Sequence, residues 1–402
     1  MPPHKRKQSD AAMDDLSGTP KRGKLDSDRF HPNAHQVEEF GIVMRDFYPP
    51  EMSNERCESY NNGILERPIE TLQKACEETM ETRNSIKTNK AVVHWFKSDL
   101  RLHDNRALQR AYQVARDNNI PIIGLYILSP EDLTAHLLSA PRVDMTLRTL
   151  ELLKRNLDEI DIPLYMETQY ERKPIPKRVV DLCRRWGANH IFANLEYEVD
   201  ELRREAKLVR LCAQNGINFE VVHDTCVVPP GLLTNQQGNQ YAVYSPWYRA
   251  WVEFLKANPD YLEPVDEIGA NPGDPRKHLK DLFDYMVPEP PKNKRLSDED
   301  RERFRTLYPA GEYEALRRLE QFLEEKAQDY GQKRSMVAGE HTSILSPYFA
   351  IGALSARTAV AMARRANRNQ LDRGEPGYRS WISEIAWRDF YKHVLVHWPF
   401  IW

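Results

Sequence analysis

Trp381, Glu384, Arg388 and Tyr391 are spaced three, four and three apart in the run WISEIAWRDFY. On a helix that spacing puts an indole, a carboxylate, a guanidinium and a phenol on one face. Trp387, three after Glu384, flanks the same stripe. Charged groups are rarely buried without a partner, so such a face is a poor plain core. It suits the wall of a pocket for a flat aromatic ligand with polar edges, where rings stack and charged groups hydrogen-bond away from water. Upstream, HTSILS is rich in hydroxyls and leads into a Ser-Pro helix start. Hydroxyls and backbone N–H groups at a helix entry can hold phosphate oxygens without a glycine-rich loop. The same residues also serve as simple caps.

Totals bound the reading. The chain has 402 residues, 29% charged and 41% hydrophobic, which describes a soluble globular protein of two or three domains. It lacks the apolar run of about 18 residues that a membrane span needs, and MPPHKRKQSDAAMDD has no secretory apolar region. The five cysteines are scattered without a CxxC pair. Neither a metal site nor a disulfide framework is expected, and a reducing compartment fits. A net charge of −3 argues against a generic polyanion binder but leaves room for a local basic face.

The elements that must position these residues follow from the pattern. Residues 1–88 read as a polar, disordered basic extension with a short helix over ETLQKACEETMET. Its clusters Lys5-Arg6-Lys7 and Lys21-Arg22 with Lys24 suit either nuclear import or an ordinary solvated tail. Residues 89–225 alternate short β-rich runs (AVVHWF, PIIGLYIL, PLYMET, HIFAN, INFEVV) with amphipathic helices, the first of them capped by Asp104. That alternation predicts an α/β domain with a doubly wound, parallel, five-stranded sheet. Ligands in such sheets sit beyond the carboxyl ends of the strands, which nominates Asp200 and Glu201; favourable acidic residues at a helix start are the simpler reading. There is no GxGxxG and no GxxxxGK[ST], so this is neither a plain dinucleotide nor a P-loop domain. Residues 226–305 form a proline-rich connection with one helix, PWYRAWVEFLKA, whose Trp247, Trp251 and Phe254 form a core stripe. Residues 306–402 begin an all-α domain with helices over GEYEALRRLEQFLEEKAQDYG, LSPYFAIGALSARTAVAMARRA and WISEIAWRDFYKHVLVHW. Trp381, Trp387, Trp398 and Trp402 crowd its end, so this domain is expected to be incomplete.

VHWFKSDLRLHDN, YEVDELRRE, YGQKRS, HTSILSPYFAIGALS and WISEIAWRDFY, in that order, closely resemble successive motifs of the DNA photolyase/cryptochrome family. The resemblance runs from about residue 89 to the end, and the basic extension looks like that of fungal cyclobutane-pyrimidine-dimer photolyases. It implies an α/β antenna domain and a helical FAD domain. Carried over by motif, Tyr330, Thr342, Ser343, Ile344, Leu345, Ser346 and Trp381 would contact FAD. Glu384 would hydrogen-bond a flipped pyrimidine dimer and Trp387 would stack on it. Arg334, Arg388 and Tyr391 would help hold damaged DNA. Asp200 and Glu201 fall at the family's contacts for a methenyltetrahydrofolate antenna, where the first residue is often Asn. Light-excited reduced FAD would supply the electron that splits the dimer, so no nucleophile–base pair is expected. The resemblance further implies a monomer acting in the nucleus, and also in the mitochondrion, with no membrane.

Two other readings stand beside repair: a cryptochrome-type photoreceptor, and an inactive, C-terminally truncated photolyase. Glu384 with Trp387 looks like the dimer-repair type. The family's helical domain continues further, so the 402-residue chain alone is expected to bind FAD poorly.

Overall fold

The computed structural model of the chain describes residues 54–336 and 341–401. Lys5, Arg6, Lys7, Lys21, Arg22, Lys24 and Trp402 lie outside the described residues. The expected tail is corrected from Asn54 onward, where helices α1 (Asn54–Asn61), α2 (Pro68–Glu78) and α3 (Met80–Ser85) form. Ile69, Leu72 and Ala75 make a narrow apolar stripe at helical spacing and are buried in the α/β core. The short helix expected over ETLQKACEETMET falls within α2 and α3, its stripe starting one residue earlier at Ile69. Arg67, which opens α2, donates from Nε to the His397 carbonyl at 2.7 Å, tying this segment to the far end of the chain.

The sheet has the expected form. β1 (Ala91–Phe96) is buried at all six positions, as a central parallel strand must be. Its side chains alternate, Val93 and Trp95 into one core and Val92 and Phe96 into the other. Around it lie α4 (Arg106–Asn118), β2 (Ile122–Leu128), α5 (Pro130–Ala135), α6 (Ala140–Glu159), β3 (Leu164–Thr168), α7 (Ile175–Trp186), β4 (Ala188–Asn194), α8 (Val199–Gln214) and β5 (Asn218–Val222). The strands are parallel in the order β3-β2-β1-β4-β5, with helices covering both faces. The chain winds outward to β3, then returns to the centre for β4, so the switch in strand order lies at β1.

The later helices are α9 (Tyr244–Ala257), α10 (Pro275–His278), α11 (Asp298–Leu307), α12 (Glu312–Glu325), α13 (Tyr330–Lys333), α14 (Ser346–Ile351), α15 (Ala356–Ala366) and α16 (Pro376–His397). All of these except α10 and α11 share one core with the first part of the connection. Trp247 and Trp251 are fully buried beside Leu319, Phe322, Val360, Trp381 and Ile385. The later part of the connection packs back on the α/β cores through Ile268, Leu282 and Tyr285.

Two local expectations are corrected. The helix read across LSPYFAIGALSARTAVAMARRA breaks at Gly352, whose φ is +69°. A Cβ there would overlap the Ser98 carbonyl oxygen, so only glycine lets α14 end against the β1 turn. The cap of α4 is Asn105, not Asp104. Asp104 turns inward with φ +52° and is buried. Its Oδ1 accepts from Arg357 Nη2 at 2.6 Å and its Oδ2 from Thr358 Oγ1 at 2.9 Å, with Ser355 Oγ also donating. Arg357 Nη2 lies 2.8 Å from Asp224 Oδ1, and Asp224 Oδ2 accepts from Arg101. Burial alone would raise Asp224, but Arg101 and Arg357 hold it well below the carboxylate range. These four charges join the β1 turn, the end of β5 and α15. Breaking such a buried set leaves uncompensated charge, at a cost of about 3–5 kcal/mol. Arg357→Met is expected to lose that much in urea unfolding; a loss within the scatter of surface substitutions would show that the cluster does not hold the two parts together.

Candidate active site

α16 is 22 residues long, and its mixed stripe passes from core to surface: Trp381 is 3% exposed and Tyr391 63%. The Trp381 ring lies 5.2 Å from Phe322 of α12, and Phe322 meets Tyr330 edge-on at 5.6 Å. α13 packs on α16 and brings Arg334, just past its end, to Glu384. These two form an ion pair with both side chains partly open to solvent. Burial, then the nearby Glu384 charge, pushes the Tyr330 hydroxyl up. One turn along, Trp387 stacks on Tyr244, the first residue of α9, with ring centroids 3.5 Å apart and planes 9° apart. Tyr391 continues the row, its ring 5.5 Å from the indole. Arg388 turns back: its Nη1 donates to the Thr225 carbonyl at 2.6 Å, and its guanidinium lies 6.0 Å from the Phe349 ring centre.

Behind this surface α16 is pinned. Asp389 Oδ2 accepts from the Val227 and Val228 N–H groups at 2.8 and 3.2 Å and from Trp251 Nε1 at 3.3 Å. Burial pushes Asp389 up to about 6, against the opposing charge of Arg388. His393 Nε2 donates to the Val228 carbonyl at 2.8 Å while Nδ1 accepts from Trp247 Nε1 at 3.3 Å. Burial lowers His393 to about 4, so it stays neutral in that role.

The hydroxyl-rich run is more open. Thr342 and Ser346 are exposed, Ser343 and Ile344 partly buried, and Leu345 is in the core. Ile344 has a φ of +53°, and no side chain caps α14. Solvent-facing hydroxyls before an uncapped turn fit an anionic diphosphate chemically.

Asp200 and Glu201 are not part of this face. They open α8, in the crevice at the strand carboxyl ends around the switch point. Asp200 Oδ2 pairs with Arg172 Nη2 at 2.6 Å, and Glu201 Oε1 lies 2.9 Å from His136 Nε2. Asp132 pairs with Arg172 Nε and Arg204 Nη1, each at 3.1 Å. Burial would raise Glu201, but the His136 hydrogen bond and Arg204 hold it low; Glu201 in turn outweighs burial and raises His136. Asp132, His136 and Glu201 each bring a possible metal-ligand atom within 4.8 Å of the others. Arg172 and Arg204 already supply the positive charge such carboxylates seek. Glu201 Oε2 and Arg204 Nε make no hydrogen bond among the described residues, so the crevice retains capacity for a polar ligand.

With both sites in view, the relatives can be placed. The family described as DNA photolyase matches residues 92–267. The deoxyribodipyrimidine photo-lyase of Neurospora crassa is 52% identical over 376 residues, covering 92% of this chain and 61% of that protein. Over residues 92–267 the chain is thus similar to the photolyase family, and over most of its length to the Neurospora protein. The mitochondrial deoxyribodipyrimidine photo-lyase of Saccharomyces cerevisiae is 28% identical, covering 94% of this chain and 68% of that protein. The bacterial class III photolyase of Agrobacterium tumefaciens shares the fold with a TM-score of 0.64 at 24% identity, covering 78% of this chain and 60% of that one. The Synechocystis cryptochrome does so at 0.60 and 20%, covering 77% and 62%. The chain thus spans about three fifths of the Neurospora protein's length.

Sequence reasoning missed Tyr244 and His136 at these two sites. Tyr244 precedes Trp247 by three, so extending the tryptophan stripe back one turn would have found it. His136 follows a short helix and meets Glu201 only through the sheet topology. Asp389, read as part of a helix without a role, anchors the site. A carboxyl raised by burial favours the folded state most below its unfolded value, near 3.8, and loses that contribution as pH rises through about 6. Asp389→Asn, which cannot ionise, is expected to gain stability relative to the unsubstituted chain from about pH 4 to about pH 6.5, by roughly 1–3 kcal/mol. Melting curves across that range test this; a constant offset would mean an ordinary carboxyl.

Proposed function

We propose that this chain serves light-driven repair of cyclobutane pyrimidine dimers in DNA. The observation that carries the reading is Trp387 beside Glu384 on one face of α16, an aromatic platform with a carboxylate one turn away. The deoxyribodipyrimidine photo-lyase names of its relatives point the same way. A dimer cannot be reached inside the duplex, so it must be extruded, and a damaged pair costs less to unstack. Trp387 offers the flipped dimer a stacking surface worth roughly 1–3 kcal/mol per base. Glu384 hydrogen-bonds the pyrimidine edge, released from or shared with Arg334. Arg334, paired with Glu384, and the exposed Tyr391 meet the DNA strand, and Arg388, though turned back to the Thr225 carbonyl, reaches it with its remaining donors.

Bound FAD, in its reduced form, would supply light-driven electron transfer to the cyclobutane ring. Tyr330, Trp381 and the run Thr342, Ser343, Ile344, Leu345 and Ser346 are the residues that hold it, the exposed hydroxyls at its diphosphate. The crevice at Asp200 and Glu201 takes a folate antenna, with His136 and Arg204 as further contacts. We place the protein in the nucleus or the mitochondrion, acting as a monomer. Among the described residues no helix is long and apolar enough to cross a membrane.

Repair of a dimer-containing oligonucleotide under blue light, with FAD supplied, tests the reading. Trp387→Ala is expected to weaken dimer binding by roughly 5- to 150-fold, the range that stacking loss implies. Glu384→Gln is expected to lower repair more than binding. Repair that persists in both variants would remove the assignment; light-dependent flavin chemistry without any repair would favour a photoreceptor.

A further inference from the structure

Tyr244 lies outside the motifs quoted above and has been given no role, yet it makes the tightest ring contact in the site. We infer that Tyr244 is a positioning residue for Trp387, holding the indole in the one orientation that presents its free face to a flipped base. The inference rests on the proposed repair function.

At 3.5 Å between centroids and 9° between planes, the two rings are in full face-to-face contact, and no base can enter between them. One indole face is therefore taken, and a ligand can stack only on the rest of the indole, beside the exposed Tyr391 ring, whose centre is 5.5 Å away and which must make room for it. The Tyr244 ring is itself fixed. Its hydroxyl donates to the Ser383 carbonyl at 2.9 Å and lies 2.7 Å from Ser383 Oγ, one helical turn before Trp387 on α16. Its backbone opens α9, which is anchored by the fully buried Trp247 and Trp251. Phe390 closes the edge, 5.6 Å from both rings and steeply inclined to each. Burial raises the Tyr244 hydroxyl, so it remains a donor at any physiological pH.

An unheld indole on a half-buried helix face samples several rotamers and must lose that freedom when a base stacks on it. Tyr244 removes the loss in advance. The effect should appear in selection of damage rather than in general affinity for DNA, because a phosphate backbone contacts charge and not this ring.

The test is binding of the full chain, with FAD supplied, to two otherwise identical oligonucleotides, one carrying a single thymine dimer. Tyr244→Leu is expected to lose about tenfold of the preference for the damaged strand, with affinity for the undamaged one within about twofold. Tyr244→Phe keeps the ring and should recover most of the preference. If the leucine variant does not fold, Tyr244→Met fills the same space without an aromatic face and should show the same loss. Full preference in Tyr244→Leu or Tyr244→Met, or equal weakening for both strands, would overturn the inference. No preference in the unsubstituted chain would instead overturn the repair reading, and the inference with it.

Discussion

Arg101, Asp104, Asp224 and Arg357 form a closed set of two cations and two anions with almost no solvent contact. Each is costly to bury alone, and together they neutralise one another. Because they come from the β1 turn, the end of β5 and α15, the α/β part and the helical part can be assembled in only one way that leaves no charge unpaired. Gly352 adds a steric condition, since α14 must end against the Ser98 carbonyl. The Leu102 and His103 N–H groups, bound by the Glu312 carboxylate at 2.8 and 2.7 Å, add another hydrogen-bonded seam.

The site helix inherits its precision from that assembly. α16 is tied to the segment after β5 through Asp389, His393 and Arg388, to the end of α8's approach through the Lys392–Glu198 ion pair, and to α9 through Tyr244. Polar anchors behind and a ring contact in front leave Trp387 and Glu384 on a face that cannot easily rotate. Electron-transfer chemistry asks the protein for fixed distance and orientation more than for proton transfer. The dense anchoring of α16 meets that demand.

The crevice at the sheet's switch point follows a different logic. Here carboxylates and arginines are interleaved: Asp200 with Arg172, Asp132 with both Arg172 and Arg204, and Glu201 with His136. Beneath them Lys97 sits between Glu196 and Glu205, and burial holds Glu205 near 7. Most of the charge here is already paired within the protein.

Much of this was legible without coordinates. The five strands and their parallel arrangement follow from short, continuously apolar runs alternating with helices, because β1 and its neighbours are buried on both faces, and the long helix bearing Trp381 to Tyr391 follows from a period of 3.6 with no interior breaker. Of the helices in residues 54–85, the one over ETLQKACEETMET was legible, while α1 was obscured because Tyr60 is its one buried residue amid charge. Asp104 was misread because an acidic residue before a helix looks like a cap whether or not its side chain turns inward. Periodicity says which face of a helix is unusual; it does not say what lies across from it. That Trp387 meets Tyr244, that Glu384 meets Arg334 and that Glu201 meets His136 are contacts between residues 50 to 143 positions apart. Local chemistry specifies each partner's type, but only the packing of the whole chain brings them within reach.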